Sequence, residues 1–390
     1  MIKLNRLLYA TSETDVFVDR IAPTREQRDV LIEAKNAIRD HLRPRIRAAT
    51  VAVLGMDKAV EPKFRTQGSW AYKTCIQPAW QPPQEMDWDF GVYLPITVWE
   101  EGGPPHAMAK LYFTLVEQLL LELCVAKGWK LYSGKETCIR VKIDSWAHVD
   151  IPLYAAPASE FASILEKSLS SRLTFDSARD VLAENSDLGE IAAQEWADLD
   201  HIVMATRSGE WKASDPEAVS KWFLDRVRES SEQLRRVCRY LKAWRDLHWL
   251  EGDGPTSVCL MVAVAQKFEP IRGRDDLALE AAAKILAVAL SGDVRAFAID
   301  KGAEDFNKRL DAEQRMLASS RASKLASRIQ SARSKLLHAS SEAITILQDQ
   351  LGFRVPHRLD LVDVDGGEDA VRAVAAIQVA RPVVKATNAG

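Results

Sequence analysis

From Met86 to Leu94 the chain alternates: Met86, Trp88, Phe90, Val92 and Leu94 are interleaved with Asp87, Asp89, Gly91 and Tyr93. A period of two over such a run predicts a half-buried strand. It puts Asp87 and Asp89 on one face, pointing the same way. A second run repeats the pattern. His148, Asp150, Pro152 and Tyr154 share one side, and Val149, Ile151 and Leu153 share the other. If the two strands are neighbours, three carboxylates converge on one spot.

Two adjacent carboxylates resist joint ionisation unless a cation neutralises them. Hard divalent ions such as Mg²⁺ take oxygen ligands and keep positions open for substrate phosphates. Moving a nucleotidyl group from a triphosphate to a hydroxyl builds negative charge on oxygens, which two metals on the order of 4 Å apart can stabilise. About twenty residues before the acids lies Gln67-Gly68-Ser69. Glycine lets the backbone approach a phosphate closely, the serine adds a hydroxyl, and a following helix aims its positive end at the anion. Each part has an ordinary reading. Paired surface aspartates are usually a solvated face, and Gly-Ser pairs are common in turns. The order and spacing of all the parts are what make the signal specific.

Composition sets wide bounds. The 390 residues suffice for two lobes, and 47% hydrophobic with 27% charged residues is ordinary for a globular protein. A net charge of −3 gives no push toward nucleic acid or anionic membrane. Five scattered cysteines (Cys75, Cys124, Cys138, Cys238, Cys259), with no Cys-x-x-Cys pair, read as reduced thiols, mostly in cores. With no membrane-length apolar run and no signal-peptide pattern, the expectation is a cytoplasmic protein.

Along the chain, Thr24 and Gln27 form a capping box for a helix from Arg25 to about Val51, with Pro44 as a kink site. A proline-rich loop, Pro78 to Pro83, precedes the Asp87 strand. A helix is expected over about 106–127, then strands at Lys130-Leu131-Tyr132 and Thr137 to Asp144. From about residue 160 the pattern turns helical, with Trp222, Val227, Leu234, Val237, Cys238, Leu241, Trp244 and Leu247 at core spacing. Residues 314–338 carry six basic and no acidic side chains, a solvated or lobe-bridging face. Without interleaved aromatics it makes a poor nucleic-acid surface. The last stretch reads as a partly mobile tail.

Three strings carry a resemblance: Gln67-Gly68-Ser69-Trp70-Ala71-Tyr72-Lys73-Thr74, Asp87-Trp88-Asp89-Phe90-Gly91-Val92-Tyr93-Leu94-Pro95, and Val149-Asp150-Ile151-Pro152-Leu153-Tyr154. From about residue 60 to about 310 the chain resembles the bacterial cGAS/DncV-like nucleotidyltransferases of the polymerase-β-like superfamily. The resemblance implies an α+β, bilobal fold: a nucleotidyltransferase palm (mixed sheet with helices) and a helical C-terminal lobe. Its expected division is residues 1–160 as the nucleotidyltransferase core with the long N-terminal helix, 161–355 as the helical nucleotide-binding lobe, and 356–390 as a tail.

The implied activity joins two nucleoside triphosphates, ATP and GTP as the first choice, into a cGAMP-like cyclic dinucleotide with release of pyrophosphate. Such a product would signal phage infection in an anti-phage (CBASS) system. A linear oligonucleotide or tailing activity stays open as the alternative, as does a nucleotide-binding scaffold without catalysis. The implied cofactor is Mg²⁺, or Mn²⁺. Asp87 and Asp89 would hold both metals and Asp150 the one beneath the attacking hydroxyl, so that all three are the implied catalytic and metal residues, with Asp150 assisting in deprotonating that hydroxyl. The residues implied to hold nucleotide are Gln67, Gly68, Ser69, Tyr72 (stacking on a base), Ser214, Asp215, Lys242 (phosphate), Ser257 and Asp305 (a base edge). Asp215 before Pro216 is also an ordinary helix N-cap, and Ser257 equally suits a first-turn cap. Trp70 and the proline-stiffened loop with Trp80 depart from the family pattern. The expectation is a monomer with no obligatory nucleic acid and no membrane partner; the resemblance adds a conjugation or accessory partner at Gly390.

Overall fold

The computed structural model describes residues 1–98, 104–160, 201–214 and 216–366. Asp215, Gly390 and part of the expected helical segment (161–200) lie outside them. The chain opens with strand β1 (Ile2–Lys3) and two short helical turns, Asn5–Leu8 and Phe17–Arg20. Helix α1 (Arg25–Ala52) follows, started by the expected capping box: Thr24 accepts from the Gln27 N–H and Gln27 accepts from the Thr24 N–H. Then come β2 (Lys63–Thr66), α2 (Gly68–Ala71), β3 (Met86–Ile96), α3 (His106–Lys127), β4 (Lys130–Tyr132), β5 (Ile139–Asp144), β6 (Ala147–Ile151), β7 (Leu153–Pro157), β8 (Val203–Ala205) and β9 (Trp211–Ala213). The helical part holds α4 (Pro216–Glu229), α5 (Glu232–His248), α6 (Ser257–Ala265), α7 (Asp275–Ala289), α8 (Ala312–Arg333) and α9 (Ser340–Leu351), and ends at β10 (Asp363–Val364).

Strands β2 to β9 form one mixed sheet in the order β4-β5-β6-β3-β7-β8-β9, with β2 paired antiparallel to β3. β6 and β7 run parallel to β3 in a single register: Asp89 faces Asp150, and three residues on Val92 faces Leu153. Pro152 separates them because it has no N–H for the ladder, while its carbonyl accepts from the Val92 N–H at 3.0 Å. The apolar face of β3 (Met86, Trp88, Phe90, Val92, Leu94) packs with Leu31, Ile38, Leu42 and Ile46 of α1 and Tyr112, Phe113, Val116 and Leu120 of α3 in one core. The opposite face carries the acids.

A second core holds the helical lobe, built around Tyr240, Leu241 and Trp244 of α5 with residues of α6, α7, α8 and α9. The six basic residues of 314–338 lie largely on α8, whose Ala318, Ala322, Leu325 and Ile329 are buried against this core. Two features correct the expected division. The N-terminal Ile2, Leu4, Leu7, Leu8, Phe17 and Ile21 are buried in the helical core, not the palm; the Leu4 N–H donates to Asp276 at 3.1 Å. Conversely β8 and β9, past residue 160, extend the palm sheet through β7. In both cases the burial partner is distant in sequence. Within the expected tail starting at 356, Asp363–Val364 pairs with Ile2–Lys3. Among the described residues no helix is long and apolar enough to cross a membrane. All five cysteines are free, and four are buried.

Candidate active site

The cleft between the lobes is lined on the palm side by Gly68, Ser69, Tyr72, Thr74, Asp87 and Asp89, and on the helical side by Cys238, Lys242, Thr256, Ser257, Val258 and Met261. The Gly68-Ser69 turn is seated by β3 itself: the Gln67 N–H donates to the Asp89 carbonyl at 2.9 Å. Gly68 has φ +60°, a left-handed value that disfavours any side chain. A Cβ there would stand 2.0 Å from Asp89 Oδ2. Only glycine lets this turn lie directly on the carboxylate. The Ser69 Oγ is buried and lies beside the Cys75 thiol, with no oxygen or nitrogen partner among the described residues. A buried hydroxyl of this kind is unusual, and an anion or metal-bound group in the cleft would satisfy it.

Electrostatics separate the acids. Burial pushes the Asp89 carboxyl up to about 8, with the charges of Asp87 and Asp150 adding to the shift. Such a site favours either a proton or a cation. Asp150 goes the other way. Burial alone would raise it, but the hydrogen bonds and charge of Arg140, with the charges of Lys135 and His148, hold it at about 2. Arg140 grips it with two bonds, 2.7 and 2.8 Å, and Lys135 Nζ lies 2.7 Å away. The register aligns Asp89 with Asp150, as expected. Yet no three metal-ligating side chains cluster closely enough among the described residues to share one ion, and both Asp150 oxygens face cations instead. The oxygen-only donor set of Asp87 and Asp89 fits a hard divalent ion. Asp150 would join it on exchanging its cationic partners.

The other sequence-derived residues fall into two groups. Lys242 is buried on α5 and donates to the Thr74 carbonyl at 3.0 Å, so it links the lobes at the cleft wall. Ser257 opens α6, whose cap is its neighbour Thr256, accepting from the Cys259 N–H; the Ser257 hydroxyl accepts from Arg245 at 2.8 Å. The N-terminus of α6 thereby turns its unpaired N–H groups and positive dipole end to the cleft. Tyr72 lines the cleft but is 5% exposed, packed edge-on to Phe223 at 5.8 Å.

Three residues sit elsewhere. Gln67 is buried away from the cleft lining, its amide bonded to Tyr93. Ser214 follows β9 and is not among the lining residues. Asp305 is consumed locally: Oδ1 accepts from the N–H groups of Val294 and Asn307, both at 2.9 Å, and Oδ2 pairs with Arg315 at 2.6 Å. In this arrangement both its oxygens are engaged in stabilising a turn.

Sequence reasoning missed Lys135, Arg140 and Arg245. Arg140 alternates visibly with Ile139 and Val141, but its pairing with Asp150 needs the β5–β6 hairpin register. The departing loop proves to be a lobe clamp. Gln84 Nε2 donates to the carbonyls of Asp246 and Trp249 at 2.8 and 3.0 Å, and the Trp80 indole donates to the Leu247 carbonyl at 3.3 Å.

A mixed sheet with paired carboxylates under a Gly-Ser turn, closed by a helical lobe, defines a nucleotidyltransferase palm with its helical C-terminal part. The family model "Cyclic GMP-AMP synthase DncV-like, nucleotidyltransferase domain" matches residues 62–154, and "Cyclic GMP-AMP synthase, C-terminal domain" matches 231–363; together they take in more than half of the chain. The chain belongs to the DncV-like nucleotidyltransferase family. It is 36% identical over 220 residues to a cyclic GMP-AMP synthase of Vibrio cholerae, covering 54% of this chain and 48% of that protein. It is 38% identical over 210 residues to one from Escherichia coli (strain TW11681), covering 53% and 47%. The alignments thus span about half the length of these curated relatives. The fold matches the crystal structure of Vibrio cholerae DncV cyclic AMP-GMP synthase with TM-score 0.72 at 25% identity, over 93% of this chain and 99% of that one. The same enzyme with the linear intermediate 5′ pppA(3′,5′)pG matches with TM-score 0.73 at 25% identity, with the same coverage.

Proposed function

We propose that this protein joins two nucleoside triphosphates, ATP and GTP in the first instance, into a cyclic dinucleotide and releases two pyrophosphates. The observation that carries the reading is one cleft in which Asp87, Asp89 and the Gly68-Ser69 turn face Lys242 and the N-terminus of α6. The names of its relatives as cyclic GMP-AMP synthases support the same product class. Catalysis is assigned to the sheet lobe, and nucleotide grip to the Gly68-Ser69 turn and the helical lobe together.

Each residue has a chemical task. Asp87 and Asp89 would hold the divalent ions, Mg²⁺ or Mn²⁺, with Asp150 as the third ligand. Bound there, the ions would neutralise charge on the attacking and leaving oxygens. The Gly68 and Ser69 N–H groups, the Ser69 hydroxyl and Lys242 orient the triphosphate, which is where most of the rate gain in phosphoryl-type transfer arises. Held at about 2, Asp150 is too acidic to keep a proton; once released from Arg140 and Lys135 it would assist deprotonation by holding the metal beneath the attacking hydroxyl, and the proton would pass to solvent. By family resemblance, the product serves as a second messenger in defence against phage.

Incubation with each pair of triphosphates and Mg²⁺ or Mn²⁺ tests the reading. The expected product resists phosphatase, because a ring has no terminal phosphate. A phosphatase-sensitive product would assign a linear synthase instead. The Asp87→Ala/Asp89→Ala variant should release no pyrophosphate; release that persists would overturn the site.

A further inference from the structure

The acid-bearing face of the sheet continues beyond the acids into a buried polar chain with no evident task in the chemistry. Asp89, Gly91 and Tyr93 follow one another on that face of β3. Arg65 of β2 stands opposite Gly91, and Tyr154 of β7 stands opposite Tyr93. The Gln67 amide lies over Gly91, where a Cβ would come 3.0 Å from its nitrogen, oxygen and carbon. Gln67 Nε2 donates to Tyr93 Oη at 2.6 Å, and Tyr93 Oη donates to Glu217 Oε1 at 3.1 Å. Glu217 lies in the first turn of α4 and is paired with Arg65 at 2.7 Å. Gln67, Tyr93 and Glu217 are 6%, 0% and 2% exposed, so no water competes for these bonds.

We propose that Gln67, Tyr93 and Glu217 form a positioning relay. It fixes the Gly68-Ser69 turn against Asp89 and ties that turn to the start of α4 on the helical lobe. The relay touches neither the cleft nor the reacting atoms. It acts through Gln67, which is both the residue before Gly68 and, through its N–H, the anchor on the Asp89 carbonyl. The hydrogen bonds are directional and buried, so removing one member leaves a defined orphan and lets the turn shift. The sequence pattern gains a reason: Gly91 makes room for the Gln67 amide, and Tyr93 supplies its acceptor. A role in positioning the turn rests on the nucleotidyltransferase reading of the cleft.

Tyr93→Phe removes a single oxygen and orphans the Gln67 donor. Displacing a catalytic element by about 1 Å costs on the order of a hundredfold, so kcat for pyrophosphate release should fall roughly ten- to a hundredfold, with the nucleotide KM changed less. Tyr112→Phe is the comparison. It deletes an equally buried hydroxyl, bonded at 3.2 Å to the Val92 carbonyl on the opposite side of β3. It should lower Tm similarly and leave kcat unchanged. Gln67→Met, which keeps the length and loses the donor, should match Tyr93→Phe, and the double variant should be no worse than either. If Tyr93→Phe folds poorly, Gln67→Met carries the test. A Tyr93→Phe or Gln67→Met enzyme that turns over like Tyr112→Phe overturns the relay. A wild-type protein that releases no pyrophosphate from any triphosphate overturns the parent reading instead.

Discussion

Gly68→Ala puts the seating of the turn to the sharpest test. Two costs follow from the structure. The first is backbone: at φ +60° a residue with a Cβ is disfavoured by about 1–2 kcal/mol. The second is steric: the new Cβ would sit 2.0 Å from Asp89 Oδ2 and 3.0 Å from its Cγ. Asp89 is half-buried beneath the turn, so relief requires the turn or the carboxylate to move by about 1 Å. Misplacement of that size costs on the order of a hundredfold in rate, near 3 kcal/mol of transition-state stabilisation. The expected result is kcat for pyrophosphate release down about a hundredfold or more, with Tm lower by only a few degrees. Gly55→Ala separates the two costs. Gly55 has φ +68°, and a Cβ there would meet nothing within 4 Å. It should lose comparable stability and keep full turnover. If Gly68→Ala turns over as fast as Gly55→Ala, the turn is not seated on the Asp89 carboxylate.

Two further outcomes follow from the electrostatics and the turn at Asp305. Asp89 has its folded pKa raised to about 8 from 3.8, so its stabilising contribution is present below about pH 4 and is lost as pH rises through 8. Metal-free Tm should therefore fall across about pH 5 to 8.5, and Mg²⁺ should restore more of it at the upper end; a metal effect independent of pH would contradict this. Asp150, depressed to about 2, contributes roughly 2 kcal/mol above pH 4 that is lost as pH falls through 2. Asp305→Asn keeps the turn acceptor but breaks the ion pair with Arg315. It should lower Tm and leave the ratio of ATP to GTP incorporated unchanged; altered base choice in a competition assay would return Asp305 to the nucleotide site.

What the sequence determined by itself was local and periodic. The alternation of Met86 to Leu94 set which face of β3 would be apolar. The Thr24-Gln27 box set the start of α1, and the spacing of the Gly-Ser turn and the acids set the class of chemistry. Each depends on neighbours within a few residues, where backbone geometry dictates direction. The tertiary structure decided everything that depends on register and distant burial. It placed Ile2, Leu4, Leu7, Leu8, Phe17 and Ile21 in the helical core, sent β8 and β9 back to the palm, turned Asp150 toward Arg140 and Lys135, and closed Asp305 into a turn. It also bonded the buried Gln67 amide to Tyr93. A side chain's alternation along a strand gives its face. Its partner across the sheet is fixed only when the packed lobes choose one register.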